Sequence, residues 1–151
     1  MREVVLDGRS LTCVDVERVA LGRARAVLGE ATRSAVQATA DWYAEHGAGD
    51  VLRSKWGWLI GGEPPSVSSE AVRLFVLGHC AGVGDALPAE EIRALMLVRA
   101  NMLAGGWSGV RPVVVDRLLE LLDRGWTPVV PAIGEVGAAG SIQLAHVARV
   151  A

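Results

Sequence analysis

The chain has 151 residues, a formal net charge of −2 and a pI near 5.9; 51% of its residues are hydrophobic, and its mean hydropathy is +0.33. That length suits a single domain over 1–151 with a real core, and the charge balance lacks the basic footprint of a nucleic-acid binder. No stretch reaches the ~18 consecutive apolar residues that a membrane span needs, so no membrane is expected as partner.

The first elements follow from local pattern. Val4-Val5-Leu6-Asp7-Gly8 predicts a short strand and a Gly turn, with Arg9-Ser10-Leu11-Thr12 as a second extended piece. The start is too quickly charged for a signal peptide. Thr12, three residues before Asp15, has the spacing of a capping box, and Gly22 closes the helix that follows. Residues 30–45 carry no Gly or Pro and predict a helix ended at His46-Gly47. Residues 47–68 hold five Gly, two adjacent Pro and both Trp56 and Trp58, a composition that suits a binding loop.

A helix is predicted from Ser69 to about Leu77, then a glycine-punctuated bend over 78–84. Pro88, followed by Glu90 and Glu91, opens a helix that runs to about Ala104 with apolar residues on more than one face. Pro112 starts another, stopped by Gly125. The two prolines in 126–131 require extended backbone. Residues 134–140 form a small-residue loop, and Ser141 is placed to cap a last helix over 142–151. The chain therefore reads as mainly α with a short N-terminal β element. Cys13 and Cys80 make no disulfide framework, and two cysteines with three scattered histidines make no metal site, which fits a cytoplasmic protein. So apolar a small chain is expected to cover surface against another copy, most simply as a dimer through the helices of 89–124, or against a partner subunit.

Four stretches, in order, resemble the histidine/phenylalanine ammonia-lyase family, whose members build a methylidene-imidazolone (MIO) electrophile from their own backbone. Val5-Leu6-Asp7-Gly8 through Leu11-Thr12 is similar to the family's opening. Gly78-His79-Cys80-Ala81-Gly82-Val83-Gly84 resembles its Ser-His-Ala-Ala-Gly-Val-Gly segment. Arg93-Ala94-Leu95-Met96-Leu97-Val98-Arg99-Ala100-Asn101 with Ser108-Gly109-Val110-Arg111-Pro112 is the closest match. Val129-Val130-Pro131 through Gly134-Glu135-Val136-Gly137-Ala138-Ala139-Gly140 resembles the segment that bears the cofactor. The resemblance implies the helical N-terminal domain of an ammonia-lyase.

The departures matter as much. In the family the cofactor forms from Ala-Ser-Gly, and the serine loses water to leave the methylidene. Here the triplet is Ala138-Ala139-Gly140, with no hydroxyl to eliminate, so the expected cofactor complement is none. The loop that supplies a catalytic tyrosine in the family aligns with Trp56-Gly57-Trp58, and an indole N–H cannot act as a phenolate base. Family lyases are also several times longer. Ammonia-lyase activity is therefore not expected.

The resemblance makes His79 the candidate proton-transfer group, with a backbone-satisfied packing histidine as the alternative. Glu135 is a second candidate acid or base, or else a solvated loop residue. Trp56 and Trp58 are expected to line a hydrophobic pocket beside the Ala138-Ala139-Gly140 loop, whose N–H groups could hold an oxygen at a helix start. Trp107 and Trp126 suit a core or an interface. Two functions follow: binding of a hydrophobic small molecule, with cofactor-free cyclisation or isomerisation of a biosynthetic intermediate, or service as a non-catalytic partner of a lyase or of a separately encoded lyase half.

Overall fold

The structure, a computed structural model, describes residues 2–46, 69–135 and 140–150. The chain opens with β1 (Arg2–Leu6), whose alternation buries Val4 and Leu6 and leaves Val5 outside. The predicted second extended piece after Gly8 forms no strand, although Thr12 itself is extended. Asp7 instead accepts the backbone N–H groups of Arg9 and Ser10 at 2.8 Å each, which turns the chain directly into α1 (Cys13–Ala20). The capping box is present: Asp15 N–H donates to the Thr12 hydroxyl at 3.2 Å, and Thr12 N–H donates back to the Asp15 carboxylate.

The partner of β1 is β2 (Ala24–Leu28), parallel and in register from Arg2↔Ala24 to Leu6↔Leu28. Its Ala-Arg-Ala-Val-Leu sequence is a weak strand signal, because small alanines occupy the buried positions 24 and 26. The strand forms because α1 crosses between two parallel neighbours and its packing buries those alanines, a tertiary effect that overrides propensity.

Helix α2 (Glu30–His46) matches the sequence reading, and α3 (Ser69–His79) runs two residues beyond it. After α3 comes β3 (Val83–Ala86), then α4 (Ala89–Ala104), α5 (Pro112–Asp123), β4 (Pro131–Ile133) and α6 (Ser141–Ala148). β3 and β4 pair antiparallel, so the last two residues of the predicted bend and the end of the proline-rich segment enter a small ribbon.

Helix α4 is the centre of the molecule. It buries Ile92, Met96, Leu97, Ala100, Leu103 and Ala104, which spread over several faces, between α1, α5 and β1. Each fully buried Leu, Ile or Met of this kind contributes roughly 1.5–3 kcal/mol. Two polar links fasten the periphery to α4. The Gly8 N–H donates to Asn101 Oδ1 at 3.0 Å, tying the N-terminal turn to the helix. Arg93 donates to three carbonyls: Ala20 O at 2.8 Å, Leu122 O at 3.1 Å and Val19 O at 3.2 Å. A single guanidinium thus ties the C-terminal ends of α1 and α5 together, adding to the Gly22 and Gly125 N–H groups that Val19 O and Leu122 O already accept.

Candidate functional site

The ribbon brings together two segments that lie about fifty residues apart in sequence. Val83 pairs with Ile133 and Ala86 with Pro131, and Leu87 N–H donates to Val130 O at 2.9 Å. The glycine-rich segment after His79 therefore lies against the strand that leads into residues 134–140. A Cβ at Gly82 would meet the Pro131 ring at 3.1 Å and His146 Nε2 at 3.2 Å, so a larger residue there would have to push those side chains back by a few tenths of an ångström.

His79 is the last residue of α3, with its ring partly buried. Nδ1 lies 2.8 Å from Phe75 O, and the imidazole rests on the Phe75 ring with centroids 4.1 Å apart. A carbonyl can only accept, so Nδ1 carries the proton and Nε2 keeps the lone pair of the neutral ring. The contact orients the ring by one helical turn of its own backbone. His46 repeats the arrangement on Trp42, with Nδ1 2.9 Å from Trp42 O, although nothing in the sequence marks His46 as functional. The same geometry thus serves a helix end as readily as a proton-transfer site.

Glu135 has a definite structural task. Its carboxylate accepts the Ser141 backbone N–H at 2.8 Å and also the Ser141 hydroxyl. This corrects the predicted cap: Ser141 is the first helical residue rather than the capping one, and left-handed Gly140 (φ 56°) stands at the cap position. Glycine brings no side chain, so the carboxylate from six residues upstream takes the role, favoured by the positive end of the α6 dipole. Of the remaining candidates Gly140 alone is described, while Trp56, Trp58, Ala138 and Ala139 lie outside the described residues.

Gln143 and His146, one turn apart on α6, are functional candidates that residue pattern did not single out. Among the described residues, Gln143 Oε1 and His146 Nε2 are buried side-chain atoms with no hydrogen-bond partner. His146 packs on Gly82, three residues after His79, and Gln143 packs on Gly134. Since α3 also packs on α6, His79, Glu135, Gln143 and His146 all belong to one helix pair and its ribbon. The signal in the sequence was that His146 interrupts the apolar run of the last helix. Trp107 and Trp126 are not core residues: they are 79% and 58% exposed, with the Arg124 guanidinium 5.4 Å from the Trp126 ring centre.

These features define a helical domain in which a histidine-glycine bend is joined through a short ribbon to the strand that precedes Gly134 and Glu135. Comparison with known proteins gives that class a family. The model of the aromatic amino acid lyase family matches residues 11–151, and the chain belongs to that family. It is 44% identical over 156 residues to a histidine ammonia-lyase of Anaeromyxobacter sp. (strain K), covering 99% of this chain and 31% of that one. A tyrosine ammonia-lyase of Cupriavidus metallidurans is 36% identical over 149 residues, covering 95% of this chain and 28% of its own. Among solved structures, tyrosine aminomutase from Streptomyces globisporus superposes with a TM-score of 0.79 at 29% identity, over 97% of this chain and 28% of that one. The chain therefore spans about a third of the length of the relatives it matches. Among the described residues no helix is long and apolar enough to cross a membrane.

Proposed function

We propose that this chain is an ammonia-lyase-like domain that forms no methylidene-imidazolone, releases no ammonia and instead binds a hydrophobic small molecule. The observation that carries the reading is Ala139, the alanine in the cofactor-forming triplet of a family member that keeps the His79 segment and the 93–112 motif. In this reading Trp56, Trp58 and the 138–140 loop line the pocket, and His79 is its one proton-transfer group. The fixed tautomer supports that role, because Nε2 is left as the basic nitrogen. Any conversion of the ligand would be a cofactor-free cyclisation or isomerisation. Glu135, proposed from sequence as a second acid or base, serves better as the cap of α6. The test has two arms. Ammonia release from L-histidine and L-tyrosine should be absent in the wild type and in Ala139→Ser. Cinnamate titrated against tryptophan fluorescence should saturate, with Trp56→Ala weakening binding by roughly 1–3 kcal/mol, the scale of a buried aromatic contact. Ammonia release by the wild type, or no saturable binding, would overturn the reading.

A second reading, a non-catalytic subunit or a homo-oligomer, is favoured by the exposed apolar side chains. Val98 and Met102 of α4 and Trp107 after it lie outside the core at 42%, 56% and 79% exposure, and they fall within the 89–124 region expected to join two copies. Light scattering that gives a monomer at micromolar concentration would end the homo-oligomer form of this reading.

A further inference from the structure

On a different face of α6 from His146, a groove of about 360 Å³ runs between α4, α5 and α6. Its floor and walls are Leu103, Val110, Val114, Leu118, Leu144 and Val147. Among the described residues, the charged groups that line it are Arg99 and Arg117. Arg117 is already committed, donating from Nη1 to Glu120 Oε2 at 2.7 Å. Arg99 is half-buried and has no hydrogen-bond or ion-pair partner among the described residues. A guanidinium partly withdrawn from water beside an apolar slot loses hydration without recovering it from a carboxylate. The volume falls within the ~300–1,000 Å³ range of small-molecule sites, near its lower end.

From this charge and shape the geometry points to a binding site for a hydrophobic monocarboxylate, with its apolar body in the α4–α5–α6 groove and its carboxylate on Arg99. A planar guanidinium pairs with a carboxylate through two parallel N–H donors, and six aliphatic side chains with no polar group among them suit an alkyl or aryl tail. A second copy is a poorer occupant, because a two-fold contact over this groove would set Arg99 and Arg117 against their own equivalents. Among the described residues its lining includes neither His79 nor any residue of the ribbon, so it is proposed as a site separate from the pocket above.

The test uses the full chain, with decanoate and decan-1-ol as matched probes followed by calorimetry below their aggregation limits. Decanoate should bind saturably, and decan-1-ol at least about tenfold more weakly, the scale of a charge-assisted pair. Arg99→Gln should remove that discrimination, and Val114→Phe, at a position 39% exposed, should fill the groove and abolish binding of both. Arg73→Gln, on α3 and paired with Glu70, should change neither. Trp56→Ala separates the two sites: decanoate binding that survives it while cinnamate binding is lost supports two pockets. Equal affinity for the two probes, decanoate binding unaffected by both Arg99→Gln and Val114→Phe, or loss of decanoate binding in Trp56→Ala would overturn the proposal. So would sedimentation showing a wild-type dimer that Val114→Phe dissociates, because a second copy would then occupy the groove.

Discussion

Gly8 and Gly22 offer a matched test of how this fold uses glycine. Both have left-handed backbone, with φ of 79° and 69°. Around Gly22 nothing lies within 4 Å of where a Cβ would stand, whereas at Gly8 that atom would overlap Gly105 Cα and come within 2.5 Å of Gly105 N. Those are backbone atoms at the end of α4, so no rotamer change relieves the clash. Gly22→Ala should cost only the left-handed penalty, about 1–2 kcal/mol. Gly8→Ala should add ~1–3 kcal/mol of overpacking and weaken the 3.0 Å hydrogen bond to Asn101, for a total of about 2–5 kcal/mol. The entropy each alanine removes from the unfolded chain is the same and cancels in the difference. Equilibrium urea unfolding followed by far-ultraviolet circular dichroism measures both. Equal destabilisation of the two variants would refute the close approach of the Gly8 turn to α4.

Other consequences can be checked with the same apparatus. Arg93→Met leaves carbonyls of α1 and α5 without their shared donor and should cost about 2–4 kcal/mol, read as a fall in the urea midpoint. Glu135→Ala should cost roughly 0.5–2 kcal/mol through loss of the α6 cap, while Glu135→Gln, which keeps an acceptor oxygen, should cost less; the reverse order would argue against capping. Hydrogen bonds from the Ser10 N–H and hydroxyl and the Arg9 N–H lower the Asp7 carboxyl to about 2. A lowered folded-state pKa means that the turn's contribution is complete above the unfolded value near 4 and is lost as pH falls through about 2. A carboxyl carbon titration by NMR with its midpoint near 4 would remove this turn from the account.

Helices were legible where the signal was local. The Thr12–Asp15 box, the residues free of Gly and Pro before His46, Pro112 at a helix start and Gly125 at its end are each decided by neighbours a few positions away. The parallel pairing of β1 with β2 was not legible, because Ala24 and Ala26 become strand residues only when α1 and the core cover them. The ribbon was hidden for a related reason: a four-residue strand with Gly84 in it meets a partner beginning at Pro131, and neither alternates apolar with polar. At the site, His79 was found through family resemblance rather than residue chemistry. Glu135 was found as a candidate acid or base but its capping role was not, since a carboxylate that caps a helix six residues downstream lies outside the usual capping spacing. Gln143 and His146 were missed because their significance lies in burial against Gly134 and Gly82, which pattern alone does not reveal.

The central claim is that Ala139 leaves the backbone uncyclised, and intact-mass spectrometry of the purified chain tests it most directly. Cyclisation of the backbone removes one water, and elimination of a side-chain hydroxyl, which Ala139 lacks, would remove a second. The account predicts the mass of the unmodified sequence, with near-ultraviolet absorbance explained by its aromatic residues alone. A chain lighter by one water or by two, carrying additional near-ultraviolet absorbance, would contradict it.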